Sequence, residues 1–235
     1  MPDLLLSAIT KSFGQNKVLK GVSLEASEGD IIGLVGQSGC GKSTLLKIIV
    51  GYHSPDTGSI SFHGRNVLRQ KLTLRKLVGY TTQENSFYDK LTIKENMVYY
   101  ASLYKVPPRQ QKARIEKLLT QVGLIDHQHA LSEKISGGMK RRLDFAISLI
   151  HNPSILILDE PTTGLDPIRI EQFWAIVKSV VKEEKKIVII SSHILSEIQS
   201  SCTIAALMDD GIIKEMFRIT PQTNVEARLK KLWQS

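Results

Sequence analysis

At 235 residues, with 42% hydrophobic and 23% charged side chains, the chain has the bulk and balance of one large globular α/β domain with room for an inserted subdomain. No run approaches the roughly 18 uncharged apolar residues that a membrane span needs, and two cysteines, Cys40 and Cys202, make no disulfide framework, which suits a reducing cytosol. The net charge of +8 is scattered along the sequence and densest at Lys140-Arg141-Arg142, so by itself it selects neither nucleic acid nor an anionic surface.

The opening "MPDLLLSAIT" has no basic start before its short apolar run, and reads as a strand rather than a signal peptide. Residues 4–9 and 18–27 are predicted strands around a turn at "FGQNK", and "GSISF" at 58–62 is another. "IIGLV" at 31–35 is a continuous apolar run of the kind found in buried parallel strands. "LVGYT" at 77–81, "ILIL" at 155–158 and "IVII" at 187–190 resemble it. Between 92 and 151 the pattern turns helical, with "TIKENMVYYASLYKV" and "RQQKARIEKLLTQV" flanking the helix breaker Pro107-Pro108. The expectation is an α/β core over residues 1–220, interrupted by an all-helical insertion at about 86–152, and a short amphipathic helix in the tail, 221–235.

Each apolar run is followed by a polar element. The first leads to "GQSGCGKST", the second to Gln83, the third to Asp159-Glu160 and the fourth to Ser192-His193. Ligands of open parallel sheets bind beyond the carboxyl ends of the strands, so four such elements on one sheet edge make one site.

Residues 36–43 match G-x-x-x-x-G-K-[ST], a loop whose backbone amides wrap phosphates. In it Gly36, Ser38, Gly39, Gly41 and Thr44 form the cradle, Lys42 reaches the β- and γ-phosphates, and the Ser43 hydroxyl ligates magnesium. Cys40 stands at a variable position of the loop, as filler. Asp159 is placed to hold the metal through water, and Glu160 to polarise an attacking water. Gln83 and His193 gain interest only from their strand-end positions. "HQH" at 127–129 has no acidic or cysteine companions for a metal site. Phe13, upstream of the loop, offers a flat face on which adenine can stack, worth about 1–3 kcal/mol. A second glycine turn, "ISGGM" at 135–139, opens into the basic helix "KRRLDFAISLI" and is itself a good phosphate seat.

Together these residues resemble an ATP-binding cassette (ABC) ATPase, the nucleotide-binding subunit of ABC transporters, in the expected order over roughly residues 4–220. The specific element is the signature "ISGGM", which other phosphate-loop enzymes lack. The resemblance implies a P-loop NTPase core with a mixed or parallel sheet, an N-terminal antiparallel β subdomain and an inserted α-helical subdomain. It makes Gly36 to Thr44 the Walker A loop, Phe13 the adenine-stacking aromatic, Gln83 the Q-loop glutamine and a metal contact beside Ser43 and Asp159. Glu160 becomes the catalytic glutamate, "TGLD" with Asp166 the D-loop, and His193 the switch histidine. It also explains the second phosphate seat. Family members pair head to tail, so that Ser136, Gly137, Gly138 and Met139 serve the nucleotide of a second ATPase subunit, homo- or heterodimeric.

Ile135 and Met139 depart from the commoner Leu-Ser-Gly-Gly-Gln, and Met139 cannot supply the glutamine's amide. "SGGMKRRLDFA" with "DEPTTGLDP" is similar to the daunorubicin-resistance-type exporter branch. The implied protein uses ATP and Mg²⁺, is peripheral on the cytoplasmic face of a membrane, and binds a transmembrane permease subunit; no nucleic acid is expected. Phe87 and Tyr88 are candidate permease contacts or subdomain core. An importer ATPase shares all this chemistry and remains the alternative. A soluble ABC-type ATPase acting on ribosomes or DNA is disfavoured by the single cassette and the lack of a long coiled-coil insertion.

Overall fold

The computed structural model describes residues 2–68 and 71–234. The N-terminal part is an antiparallel sheet of β1 (Leu4–Phe13), β2 (Asn16–Ala26), β4 (Thr57–Phe62) and β5 (Arg65–Asn66), in the order β2-β1-β4-β5. Its first turn is tighter than expected: Phe13 already pairs with Asn16, and Gly14 takes the positive φ of 60° that lets the chain reverse there. In β1 the inward residues change parity from Leu4 and Leu6 to Ile9. A register irregularity with Ala8 at φ 49° makes that switch and keeps all three in the core.

The second sheet has the order β10-β9-β3-β8-β7-β6. Strands β3 (Ile31–Val35), β6 (Val78–Thr81), β7 (Ile155–Asp159), β8 (Ile187–Ser191) and β9 (Ile204–Asp209) run parallel, and β10 (Ile212–Arg218) folds back antiparallel on β9. The period-2 rule splits these apolar runs between two cores. Ile32, Leu34, Ile155, Ile157, Ile187 and Ile189 face α1 (Lys42–Ile49) and the antiparallel sheet. Leu156, Leu158, Val188 and Ile190 face the other way, toward the helices that follow β6 and β7.

The β9–β10 hairpin has no counterpart among the sequence-derived elements. Its turn is Asp210-Gly211, both at positive φ (43° and 77°), which is the Asp-Gly hairpin signal between β-prone residues. Short α2 (Lys71–Leu77) leads into β6.

Between β6 and β7 lie α3 (Ile93–Leu103), α4 (Pro108–Gln121) and α5 (Gly137–Ser148). Thr92 and Glu95 cap α3 reciprocally, and Pro108 starts α4 at the one helical turn where a missing N–H costs nothing. Met97, Ala101, Ile115, Leu118 and Leu143 form their shared interior, which is continuous with the sheet's second core. After β7 comes α6 (Pro167–Glu184), and after β8 comes α7 (Leu195–Ser201). The terminal α8 (Val225–Gln234) is amphipathic as expected; Val225 and Leu229 are buried in the same core, and its first amide bonds Gln199 Oε1 on α7.

Candidate functional site

The sheet register aligns the strand ends. Leu34 pairs with Ser191, Ser191 with Asp159, and Leu158 with Thr81, so the segments that follow four neighbouring strands leave one edge together. The loop after β3 packs against the molecule so closely that only glycine fits at two places. A Cβ on Gly36 would collide with the Met208 carbonyl oxygen. One on Gly41, at φ 106°, would come within 2.8 Å of Leu19 Cδ2 and 3.1 Å of the Val18 carbonyl oxygen. Lys42 Nζ donates to the carbonyls of Gly36 (2.7 Å) and Gln37 (3.0 Å), which keeps the ammonium over the loop. A cavity of about 290 Å³ opens here, lined by Ser38, Gly39, Gly41, Lys42, Ser43 and Thr44 and closed by Glu160 and Ser191. Cys40 is buried, and its carbonyl accepts from the Gly211 amide of the C-terminal hairpin. It is a packing residue beneath the loop.

Asp159 and Glu160 diverge because the chain turns sharply between them. Asp159 is buried, accepting from Ser191 Oγ (2.5 Å) and Tyr80 Oη (3.4 Å). Burial and that neighbouring charge push the Tyr80 hydroxyl up to about 12, so it stays a donor. Glu160 sits at φ 49°, a region that costs a non-glycine residue about 1–3 kcal/mol and that recurs at functional sites. Its amide donates to the Ser191 carbonyl (3.1 Å), Thr163 Oγ1 donates to its Oε2 (3.2 Å), and His193 Nδ1 lies 3.5 Å from the same oxygen. Thus the exposed His193 reaches the phosphate loop's cavity only through Glu160, which lines it. Ser43 and Asp159 bring a hydroxyl and a carboxylate, hard oxygen donors that suit magnesium. Among the described residues no cluster of three His, Cys, Asp or Glu side chains could hold a metal by itself.

The second glycine turn is elsewhere. Ser136 caps its own helix, accepting from the Met139 amide at 3.3 Å. Gly137 is exposed with open space where a Cβ would be, while Gly138 is covered by Arg169, whose Nε also pairs with Asp166 at 3.1 Å. Asp166 in turn caps α6 through the Arg169 amide at 3.0 Å. Met139 packs partly into the core. Gln83 belongs to this region and not to the phosphate loop's cavity. It lines a separate cavity of about 390 Å³ with Glu84, Gly137, Lys140, Arg141, Thr163 and Gly164. The helix of the second turn holds it there: Arg141 donates to the Thr82 carbonyl (3.3 Å), and buried Asp144 accepts from Ser86 N (2.9 Å) and Oγ (2.6 Å). Desolvation pushes the Asp144 carboxyl up, against the pull of those two bonds. The two cavities share no lining residue.

Phe13 is 46% exposed, edge-on to His53 at 5.4 Å, and outside the lining of either cavity. Phe87 is buried in the core, while Tyr88 is exposed with its hydroxyl 3.1 Å from that of Tyr99. Sequence reasoning passed over Tyr80, Ser191 and Arg169. Each acts by holding a site residue, and a single hydroxyl or cation near a motif carries no signal until its partner is known.

The sequence family described as ABC transporter matches residues 19–163. The chain belongs to the ABC transporter family. It is 35% identical over 207 residues to the bacitracin transport ATP-binding protein BcrA of Bacillus licheniformis, covering 88% of this chain and 67% of that one. It is 34% identical over 206 residues to the Nod factor export ATP-binding protein I of Rhizobium meliloti, covering 88% of this chain and 61% of that one. The solved structure of cbiO1 from Clostridium perfringens, described as part of the ABC transporter complex cbiONQ, shares the fold, with a TM-score of 0.88 at 23% identity over 98% of this chain and 94% of that one. This ABC protein is therefore an ATP-binding subunit of a transporter and an ATPase. Among its described residues no helix is long and apolar enough to cross a membrane.

Proposed function

We propose that this ABC ATPase powers export, working as a head-to-tail pair in which each ATP lies between the Walker A loop of one copy and the Ser136–Met139 turn of the other. In this reading Ser38 to Thr44 hold the phosphates, with Gly36 and Cys40 shaping the loop from beneath, and Phe13 stacks on adenine. Ser43, Asp159 and Gln83 would hold Mg²⁺, which would screen charge on the phosphates. Glu160 draws a proton from the attacking water as its oxygen bonds the γ-phosphorus and the bond to the β–γ bridging oxygen breaks. His193 steadies that carboxylate, and Asp166 sets the neighbouring turn.

Residues 1–220 form the ATPase unit, the helical insertion at about 86–152 carries the signature, and 221–235 form the tail. The insertion contacts a transmembrane permease subunit, with exposed Tyr88 in reach of it, which keeps the chain at the cytoplasmic face of a membrane.

One observation carries the proposal. Glu160, with His193 3.5 Å away, lines the phosphate loop's cavity, while the second glycine turn opens into another. A phosphate seat with open space beside it, where Lys140 and Arg141 outnumber the one lining carboxylate, Glu84, is suited to a second molecule's nucleotide. The direction of transport is supported by the "SGGMKRRLDFA" stretch and by relatives whose names include transport and export. The test is Glu160→Gln. Since positioned general bases contribute about 10²–10⁴-fold, ATP turnover should fall by that order while the chain accumulates as an ATP-bound dimer on a sizing column. Turnover at the wild-type rate would refute the role. Export itself is read from ATP-dependent efflux out of cells expressing the chain with its permease; uptake instead would make it an importer.

A further inference from the structure

Glu197, on α7, is 4% exposed, and no role above uses it. Both of its carboxylate oxygens lie within bonding distance of one donor, the Thr162 hydroxyl, at 2.8 and 2.7 Å. Its Oε2 also accepts from the Ser192 hydroxyl at 3.5 Å, and Ser192 Oγ in turn accepts from the Ile194 amide at 3.0 Å. Thr162 is two residues after Glu160, and Ser192 immediately precedes His193. The donors therefore come from the two segments that present the candidate catalytic pair.

The helix that carries Glu197 is itself seated firmly. Ile198 is fully buried and packs on Gly33 of β3 so closely that a Cβ there would lie 2.7 Å from Ile198 Cδ1. The strand it rests on is the one that ends in the phosphate loop. A buried carboxylate is costly unless its bonds are made, so a position that served packing alone would be filled better by an apolar side chain.

We infer that Glu197 is a positioning residue: it clamps the Glu160 turn and the His193 segment at a fixed spacing, referenced through α7 to the strand that carries the phosphate loop. The inference rests on the proposed roles of Glu160 and His193. The clamp touches neither Lys42 nor the loop amides, so it acts on the chemical step and leaves ATP binding alone.

The test is made on the full chain with Thr162→Val, which removes the donated proton at nearly constant volume, and Thr162→Ser, which restores it. Thr162→Val should lower kcat by about tenfold with the KM for ATP changed less than about twofold, and Thr162→Ser should recover at least about half of the wild-type kcat. Adding Thr162→Val to Glu160→Gln should change residual single-turnover rates by less than about twofold, because the clamp acts through the glutamate already removed. An equal loss in both backgrounds, a rise in KM that matches the fall in kcat, or wild-type turnover in Thr162→Val would overturn the clamp. Should Thr162→Val not fold, Glu197→Gln keeps the volume and one acceptor, and the same non-additivity with Glu160→Gln is required of it. If Glu160→Gln alone turns over normally, it is the reading of Glu160 that falls.

Discussion

The molecule has two glycine turns that each open into a helix, and their surroundings differ. The turn before α1 is pressed against the hairpin turn and β2, has Lys42 folded over it, and faces the Asp159–Glu160 strand end. The turn before α5 is open at Gly137, uses its serine to cap its own helix, and shares its cavity with Gln83, Glu84 and two basic side chains. The first turn has a carboxylate strand end against it; the second has a mainly basic cavity with one carboxylate, Glu84. Same motif class, different neighbours: the chemistry follows from what the sheet brings alongside.

Altering the glycines separates the two most sharply. Gly36→Ala puts a methyl group into the Met208 carbonyl, so ATP binding should be lost or the chain fail to fold. Gly137→Ala meets open space, so the fold and the ATP dissociation constant of the isolated chain should be kept while turnover falls. Calorimetric ATP titration of both variants checks this, and equal damage to binding would erase the distinction.

Ser136→Ala tests the capping role directly. Losing an N-cap costs typically about 1 kcal/mol, which for a chain of this size lowers the melting temperature by about 2–4 °C. A calorimetric scan with no nucleotide present should register that drop; an unchanged transition would leave Ser136 with no role within its own chain.

The smallest effect belongs to Tyr80, on the phosphate-loop side. Its hydroxyl is pushed up to about 12 from an unfolded value of 10, so its contribution is complete below pH 10 and is lost as pH rises through about 12. Tyr80→Phe should flatten that alkaline loss by less than about 1 kcal/mol, since the group is only half-buried and solvent screens it. Urea unfolding at pH 9 and pH 11 for both proteins provides the comparison.

Much of this was legible in the sequence because it is local or periodic. The buried strands read as apolar runs, Pro107-Pro108 separated α3 from α4, and the polar residue after each strand pointed to one edge. The Asp210-Gly211 hairpin carried a readable turn signal that was not used. What the sequence hides is contact across distance. The division of Gln83 from the phosphate loop's cavity depends on Arg141 and Asp144, some sixty residues on. Likewise, Glu197 reaches Thr162 only because α7 packs on β3.

The account stands or falls on incompleteness: one copy of the chain lacks part of the surface around each ATP. The direct measurement is ATP turnover per molecule over a dilution series, followed in parallel by sedimentation velocity. Turnover should decline in step with the dimer fraction and approach zero for the monomer, whereas constant turnover per molecule in a purely monomeric sample would contradict it.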